Sequence, residues 1–563
     1  MRKTEGQPLP LGVTVSGERI NFSTVVPGGK TCRLLIYPVG EKNPCKTFEM
    51  QESLGDVRYI ALEDIDSRQY EYNYEIDGEV TPDDYGKAFA GRSVWGKERD
   101  VSGHEVRGVL FQEEYDWEGD RRPFLSKDQV IAYSLHVRGF TKDTYSKVSA
   151  KGTFEGIVEK IPYLKDLGIN QIQCMPIYEF EECGRTRNYW GYGEAYYFAP
   201  KSAYAAGKSP VKALKDFVKA CHKEGIEVVL EMPFAEMASA LTVIECLRYY
   251  MIEYHVDGFV LNAYADTTKA AFSDPILKSA KILTHRIDFQ NVMRRFLKGD
   301  EGMVEAVIYW LKHIGKEEGS FNYIASHSGF TLNDLVSYDG KHNESNGENN
   351  RDGTDYNFSW NCGAEGPSRK KSVCSLRKRQ IRNALFLVFL AQGMPCILAG
   401  DEFGNSQNGN NNVYCQDNPV GWVNWRGFQS NKEQYEFVKR LIALRKKYKV
   451  FHPEHEMTGI DSVSCGVPDV SYHGESAWRT PSEVCSRQLG VYYSGAALKG
   501  EDCYVIYNMH WLSHTFALPS LPKGKKWYKI ASTDDGILEE PRLSTEQKAL
   551  ETDARTIIVL AAR

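Results

Sequence analysis

Hydrophobic and polar residues alternate along the first part of the chain in short stretches separated by turn-forming residues. The stretches read INFSTVV, RLLIYPV, RYIALEDI and YEYNYEI, and the turns between them include PGGK and DGE. Alternation with a period of two is typical of strands that bury one face. The pattern predicts an N-terminal β-sandwich, to which we assign residues 1–105.

From about Val130 the pattern changes to short apolar strands followed by amphipathic helices. The strands include IAYSLHV, INQIQCMPI, IEVVLEMPF, VDGFVLNAY, FNYIASH and PCILAG, with helical stretches such as SPVKALKDFVKACHKEG between them. This alternation builds parallel sheets, and its length suits one (β/α)₈ TIM barrel, which we assign to residues 106–448. The alternative is a doubly wound open sheet, although no G-x-G-x-x-G follows the first strand.

Short strands return near the C-terminus, in LGVYYSG, DCYVIYNM, HTFALP, WYKIAS and TIIVLAA. They predict a third domain, an all-β sandwich over residues 449–563. The stretch 337–363 is aperiodic and rich in Asn, Asp, Gly and Ser, which predicts a long loop. Loops of that length are usually functional or disordered.

Charge and cysteine usage narrow the classes of function. With 69 basic against 75 acidic residues, the net charge of −6 leaves no cationic excess for nucleic acid or a membrane surface. Because no apolar stretch suits a bilayer span or a signal sequence, we expect a cytoplasmic protein. The 13 cysteines form no C-x-x-C pair, so neither a zinc ribbon nor a disulfide framework is predicted.

Five strings carry a resemblance to a known family. They are HVRGFT from His136, GTFEGIVEKIPYLKDLGIN, NYWGYG from Asn188, the loop that begins ASHSGFTLNDLVSYDG, and AQGMPCILAGDEFGNSQNGNNNVYCQDNPVGWVNW. Together they resemble the isoamylase, pullulanase and glycogen-debranching branch of the α-amylase superfamily, glycoside hydrolase family 13. The resemblance covers nearly the whole chain, and it implies that the first domain is of the carbohydrate-binding type.

The resemblance also implies a chemistry. A retaining glycosidase needs a nucleophilic carboxylate and a carboxylic acid roughly 5–5.5 Å apart. The family adds a third carboxylate that binds and distorts the sugar, and an Arg that orients the nucleophile. All four groups belong at the C-terminal ends of barrel strands.

The strand that should carry the nucleophile is degenerate here. The family writes it G-F-R-F-D, and this chain reads Gly258 to Asn262 as GFVLN. Val260 stands at the position of the Arg, and Asn262 stands at the position of the nucleophilic Asp. A neutral amide is a far poorer nucleophile than a carboxylate.

The two other carboxylate positions are also replaced. The strand written K-L-I-A-E in the family reads KILTH here, which puts His285 at the position of the acid. Family sequence is missing before FQNVMRRFLKGD, so His285 could instead belong to the segment that follows. No Glu lies between Ala280 and Asp300. In the family string T-A-H-D-G, the His is kept as His327, and Ser328 replaces the Asp.

Groups that bind sugar need no nucleophile, and several are retained. Trp190 and Tyr192 match the stretch whose Tyr stacks on the sugar, and we expect both to bind substrate together with Glu231 and His327. Glu231 replaces the Asp of the family string D-V-V-x-N-H. The alternatives are rim packing for Trp190, a hydrogen-bonded structural role for His327, and a solvated or ion-paired rim for Glu231.

Three functions remain open at this point. The first is a glycosidase-like pseudoenzyme that binds an α-glucan or maltooligosaccharide. The second is a regulatory subunit of an active debranching enzyme. The third is an active hydrolase of α-1,6 branches with relocated carboxylates, drawn from Glu231, Glu236, Asp266 and Asp288. We expect no cofactor, and no metal, because the loop 337–363 lacks D-x-[DN]-x-[DN]-G spacing.

Overall fold

The structure is a computed structural model that describes residues 1–97, 106–110, 114–207, 209–236, 238–261, 265–315 and 319–563, with backbone alone at residues 265 and 266. Three groups of strands follow one another along the described chain, as the hydrophobic pattern predicts. The boundary predicted after residue 105 lies outside the described residues. The boundary predicted after residue 448 remains a proposal.

The N-terminal strands form two antiparallel sheets. Their bounds are β1 Arg2–Thr4, β2 Gly12–Ser16, β3 Arg19–Val25, β4 Cys32–Pro38, β5 Lys46–Glu49, β6 Glu52–Leu54, β7 Val57–Glu63, β8 Tyr70–Ile76, β9 Glu79–Thr81, β10 Phe89–Ala90 and β11 Arg107–Val109. One sheet has the order β1–β7–β3–β2 with β6 on β7, and the other has the order β10–β11–β8–β4–β5 with β9 on β8. Phe22 and Ile60 of the first sheet pack on Leu34 and Tyr74 of the second, which is the predicted sandwich.

The central part is a closed barrel of parallel strands. Its strands are β12 Ala132–Leu135, β13 Gln171–Cys174, β16 Glu227–Met232, β17 Gly258–Leu261, β18 Lys281–His285, β19 Gly319–Asn322 and β20 Met394–Leu398. A separate two-stranded sheet, β14 Tyr178–Phe180 and β15 Ala195–Pro200, follows β13. The closed ring excludes the alternative of an open sheet.

Among the described residues, twelve α-helices accompany these strands. Their bounds are α1 Val137–Thr141, α2 Phe154–Val158, α3 Ile161–Leu167, α4 Pro210–Lys223, α5 Ala240–Glu253, α6 Ala265–Ser273, α7 Ile287–Lys298, α8 Val304–Lys312, α9 Leu332–Leu335, α10 Lys371–Leu390, α11 Trp425–Ser430 and α12 Lys432–Lys447. The helix α4 begins where Ser209 accepts a hydrogen bond from the Lys212 amide, and Pro210 follows at its first position. None of the helices in the described part of the chain combines the length and apolar composition that a bilayer crossing requires.

The described residues place seven strands in the barrel, where the sequence predicted eight. The strand β18 pairs directly with β19, with Thr284 beside Ser320. The chain between these two strands forms α7 and α8. In the described part of the chain, no further strand joins the ring between β18 and β19.

The C-terminal strands form a six-stranded sheet and a two-stranded sheet. Their bounds are β21 Val470–His473, β22 Gln488–Tyr493, β23 Cys503–Asn508, β24 His514–Ala517, β25 Trp527–Ser532, β26 Gly536–Leu543, β27 Ala549–Thr552 and β28 Thr556–Ala562. The larger sheet has the order β21–β22–β23–β28–β25–β26, and β24 pairs with β27. One face of the larger sheet continues the apolar core of the barrel, and the other packs Trp527 and Leu560 against Phe516 of β24.

A buried imidazole stands between two carboxylates near the N-terminal ends of the barrel strands. The Nδ1 of His222 lies 2.9 Å from an oxygen of Asp120, and its Nε2 lies 3.0 Å from Asp257 Oδ2. Arg122 and His255 complete the cluster, through Asp257 and Asp120 respectively. Burial alone would lower the pKa of His222, but hydrogen bonds and charges of Asp257 and Asp120 outweigh it and raise that pKa. Because both ring nitrogens lie against carboxylate oxygens, which accept, both nitrogens carry a proton, and His222 is an imidazolium that joins residue 120 to the barrel.

The stability of the protein should depend on pH through His222. A raised pKa stabilises the folded state fully below the unfolded value of about 6.5, and the contribution is lost as pH rises through the folded pKa. We expect the thermal midpoint of the wild type to exceed that of His222→Gln by the most in mild acid, and the excess to shrink in base. Each kcal/mol lost lowers a midpoint by about 2–4 °C in a large domain.

The matched control is His342→Gln, at an exposed histidine paired with Glu365. Its midpoint should follow that of the wild type across the same pH range. Parallel curves for the wild type and His222→Gln would contradict the assignment of a bridging imidazolium.

Candidate functional site

The C-terminal ends of the barrel strands converge on one rim. His136 follows β12, Glu231 lies at the end of β16, His285 ends β18, and His327 lies in the loop after β19. His136 also caps α1, since its Nδ1 accepts from the Gly139 amide at 3.0 Å. Burial lowers the pKa of His136 to about 3, so the ring is neutral and its Nε2–H donates to the Tyr189 carbonyl at 2.9 Å.

Three of these rim groups form one contact cluster with Tyr192. The hydroxyl of Tyr192 donates to Glu231 Oε1 and lies 2.7 Å from Nε2 of His327. The Nε2 of His285 lies 3.9 Å from the same Glu231 oxygen, and the Nε2 of His327 lies 3.6 Å from it. The structure therefore brings together Tyr192, Glu231, His285 and His327, which sequence reasoning selected from four separate segments.

The proton positions in this cluster follow from its hydrogen bonds. Burial lowers the pKa of His327 to about 4, so the ring is neutral at pH 7. Because the Tyr192 proton points to Glu231, the contact with His327 requires Nε2–H to donate to the tyrosine oxygen. The Nδ1 of His327 is then a bare acceptor, and it has no partner among the described residues. Tyr192 thus relays a hydrogen bond from His327 to Glu231.

Glu231 is a buried carboxyl group. Burial raises its pKa, while the charge of His285 and the hydrogen bond from Tyr192 limit the rise. Burial also lowers the pKa of His285, and the Glu231 charge opposes that effect. Such a carboxyl group is suited to holding or donating a proton.

The degenerate positions have different environments. Val260 is buried in the barrel interior beside Leu283, its pairing partner on β18. Ser328 is exposed. Asn262 lies outside the described residues, one position after β17 ends. Val260, which the sequence places at the position of the orienting Arg, is therefore a predicted replacement that lies in the apolar barrel core.

The candidate relocated carboxylates other than Glu231 do not join the cluster in the described structure. Glu236 and Asp288 are both exposed, the first after β16 and the second in the first turn of α7. Asp266 belongs to α6, and its side chain lies outside the described part of the chain. Among the described side chains, Glu231 is the carboxylate in contact with Tyr192, His285 and His327.

Trp190 lies mostly beneath the rim. It is 6% exposed and packs with Met175, Tyr189 and Val413 in an apolar cluster. Its indole meets the His327 ring edge to face, with the ring centroids 5.0 Å apart. Trp190 therefore supports His327 from the side and offers little of its own surface to a ligand.

A groove of about 500 Å³ opens beside this cluster. Its volume lies within the range of roughly 300–1,000 Å³ that is common for ligand sites. Besides Trp190 and Tyr192, polar and aromatic groups line it, including Arg187, Glu348, Asp352, Asn412 and Tyr414. Sequence reasoning missed these five as site residues, although 348 and 352 belong to the predicted loop 337–363. Asp352 accepts from Asn412 at 2.9 Å, which joins that loop to the opposite wall.

The loop that carries Tyr192 is fixed by a buried ion cluster. Lys201, which is fully buried, donates to Glu179 and Glu182 at 2.8 Å each. The carbonyl of Glu182 accepts from the Asn188 amide, and the Asn188 side chain donates to the carbonyl of Tyr192 at 2.9 Å. The position of Tyr192 therefore depends on Lys201 through three successive hydrogen bonds.

A second ion pair joins two of the family-like strings. Arg138 of HVRGFT binds Asp417 in a bidentate manner, with distances of 2.8 and 3.0 Å. The indole of Trp422 donates to the same carboxylate at 2.9 Å. Paired contacts of this kind fix orientation as well as distance. They hold the segment 414–422 against the first barrel helix.

Comparisons with known proteins agree with this architecture. The family profile described as "Alpha amylase, catalytic domain" matches residues 128–261. A glycogen operon protein GlgX homolog of Haemophilus influenzae is 30% identical, over 78% of this chain and 84% of its own length. The chain belongs to the isoamylase, pullulanase and glycogen-debranching branch of the α-amylase superfamily. Isoamylase 1 of Arabidopsis thaliana, a further relative in that branch, is 28% identical over 94% of this chain and 85% of its own.

Solved structures of the family support the fold. The Group B Streptococcus pullulanase in complex with maltotetraose superposes with a TM-score of 0.77 at 16% identity, covering 98% of this chain and 87% of its own. The expected order of N-terminal β-domain, barrel and C-terminal β-domain is confirmed.

The coupling between Glu231 and His285 can be measured. In Glu231→Gln the carboxylate that raises the pKa of His285 is removed, so that pKa should fall further below its ordinary value. Imidazole titration by ¹⁵N NMR measures it, and loss of one signal in His285→Asn assigns the resonance among 13 histidines. Glu236→Gln, at an exposed glutamate, should leave the titration unchanged. An unaltered His285 titration in Glu231→Gln would show that the two groups are not in contact.

Proposed function

We propose that this chain is a pseudoenzyme of the debranching family, one that binds α-glucan and does not hydrolyse it. Retaining hydrolysis needs an acid and a nucleophile, both of them carboxyl groups, facing one bond. General acid catalysis alone contributes roughly 10²–10⁴-fold. Loss of the acid and the nucleophile together would leave little rate enhancement.

The environment of Val260 carries this proposal. The family places there an Arg that orients the nucleophile, and here the side chain is enclosed in the apolar interior of a seven-stranded ring. A charged side chain at that position would have to be buried among Leu283 and Phe321. The apolar core around residue 260 suits a neutral side chain. It would not support the Arg that orients the nucleophile in the family.

The groove beside Tyr192 supports the binding half of the proposal. Tyr192 and Tyr414 supply aromatic rings, while Arg187, Glu348 and Asn412 supply hydrogen-bonding groups. Sugars bind through that combination of ring faces and polar atoms. A family relative was solved with maltotetraose bound, so we propose the same ligand class for this chain.

Binding and turnover should separate in one experiment. Calorimetry with maltotetraose should give a measurable affinity, and incubation with pullulan should release no reducing ends above background. Tyr192→Ala should weaken binding by roughly fivefold, because one ring contact is worth about 1 kcal/mol. Tyr309→Ala, at an exposed tyrosine on α8, is the matched control. The absence of binding at about 1 mM ligand would refute the proposal.

The raised pKa of Glu231 favours a second candidate, an active hydrolase with a relocated acid. In that case pullulan or limit dextrin would be cleaved, and Glu231→Gln or Asp288→Asn would abolish the turnover. Turnover that persists in both variants would defeat the relocated pair. Partnership with an active debranching enzyme remains a prediction from the resemblance, and co-purification from cell extract would test it.

A further inference from the structure

A second pocket, of about 240 Å³, lies on the outer surface of the barrel. It is formed by the turn 145–148, the residues before α3, and the helix α11. Its walls include Tyr145, Lys147, Glu159, Lys160, Trp425 and Phe428. None of these residues lines the groove beside Tyr192, so the two cavities are separate.

Two ammonium groups face this pocket without a carboxylate partner. Within the described residues, neither Lys147 nor Lys160 forms an ion pair or a side-chain hydrogen bond. The neighbouring carboxylate of Glu159 is occupied elsewhere, because it accepts from the Ser149 amide, the Ser149 hydroxyl and the Ala150 amide. Both charges are therefore available to an anion.

Lys160 is held in position before any ligand arrives. Its Nζ lies 3.7 Å from the centre of the Trp425 ring, a cation–π contact. Trp425 is itself 2% exposed and donates its indole N–H to the Phe140 carbonyl at 2.5 Å. A cation fixed in this way loses little further conformational entropy when an anion binds to it.

The electrostatics of Lys160 agree with this geometry. Burial lowers the pKa of Lys160 to about 8, with Glu159 opposing the shift and Lys147 adding to it. An anion placed between the two lysines would replace the water that burial removes and would cancel their mutual repulsion. The pocket therefore holds two lysines that repel each other, and a bound anion would reduce that repulsion.

We propose that this pocket binds the phosphate monoester of a single sugar. The phosphate oxygens would lie between Lys147 and Lys160, and the sugar ring would lie against Tyr145 and Phe428. A pocket of 240 Å³ is smaller than the roughly 300 Å³ at which sites for drug-sized ligands begin, which favours a monosaccharide over a nucleotide. Charge-assisted hydrogen bonds from two lysines supply the affinity, and the rings supply the preference for a sugar ester over a bare anion.

The pocket adjoins the segment that carries Arg138. The Val423 amide donates to the Gly139 carbonyl at 3.0 Å, two residues before Trp425. A ligand on Lys160 and Trp425 would therefore contact the backbone that also positions the Arg138–Asp417 pair. The pocket is therefore linked to the rim through this stretch of backbone. It shares no lining residue with the groove.

The test uses glucose 6-phosphate as the probe, with the full-length protein and calorimetry. Glucose 6-phosphate should bind, inorganic phosphate should bind more weakly, and the variants Lys147→Gln and Lys160→Gln should each lower the affinity by roughly tenfold or more. Lys160→Arg keeps the charge and should retain most of the affinity. Lys151→Gln, at a lysine outside the pocket, is the matched control and should bind as the wild type does.

The outcomes separate this proposal from glucan binding at the groove. Maltotetraose affinity should be the same in Lys147→Gln as in the wild type, which also shows that the variant is folded. Unchanged affinity for glucose 6-phosphate in both glutamine variants would overturn the site. Equal affinities for inorganic phosphate and glucose 6-phosphate would overturn the sugar assignment, and no binding of either anion would overturn the proposal as a whole.

Discussion

Lys201 is fully buried between Glu179 and Glu182, and the loops on one side of the barrel rim depend on that arrangement. A buried ion is tolerated only when opposite charges and hydrogen bonds surround it. Arg92 of the N-terminal region balances the second negative charge, since it lies 3.4 Å from Glu179. One buried ion cluster thus joins the β14–β15 sheet, the N-terminal segment and the loop to Tyr192. Removing the ammonium would leave Arg92 as the remaining cation beside Glu179, and the buried Glu182 would lose its ion pair with Lys201.

Hydrogen bonds among neighbouring side chains hold the cluster around Glu231 together. Tyr192 joins His327 to Glu231, so three polar groups satisfy one another without a substrate. Buried polar groups need partners whether or not they react. A closed network of this kind stabilises the rim, and it also leaves the Nδ1 of His327 as an acceptor beside the groove.

Local patterns predicted the elements well, because strand alternation and helix periodicity are properties of neighbouring residues. The strands β3, β4, β7 and β8 coincide with the stretches read from the sequence. The groove was harder to predict, since Tyr192 and Tyr414 meet only through the folded rim, more than 200 positions apart along the chain. The missing eighth strand could not be predicted either, because an absent element leaves no periodic signal. Motif matches selected the cluster around Glu231, and they also cover Asn412 and Tyr414, but no motif indicated that these loop residues line a groove.

The count of seven strands has a consequence for symmetry. In an eight-stranded ring, the side chains of alternate strands fill successive interior layers of four. An odd ring cannot be divided into two equal alternating sets, so one pair of neighbouring strands must contribute to the same layer. Large rings such as Phe321 and Tyr323 fill the interior of this barrel beside Val260 and Leu283. The interior of this seven-stranded ring is therefore packed differently from that of an eight-stranded barrel.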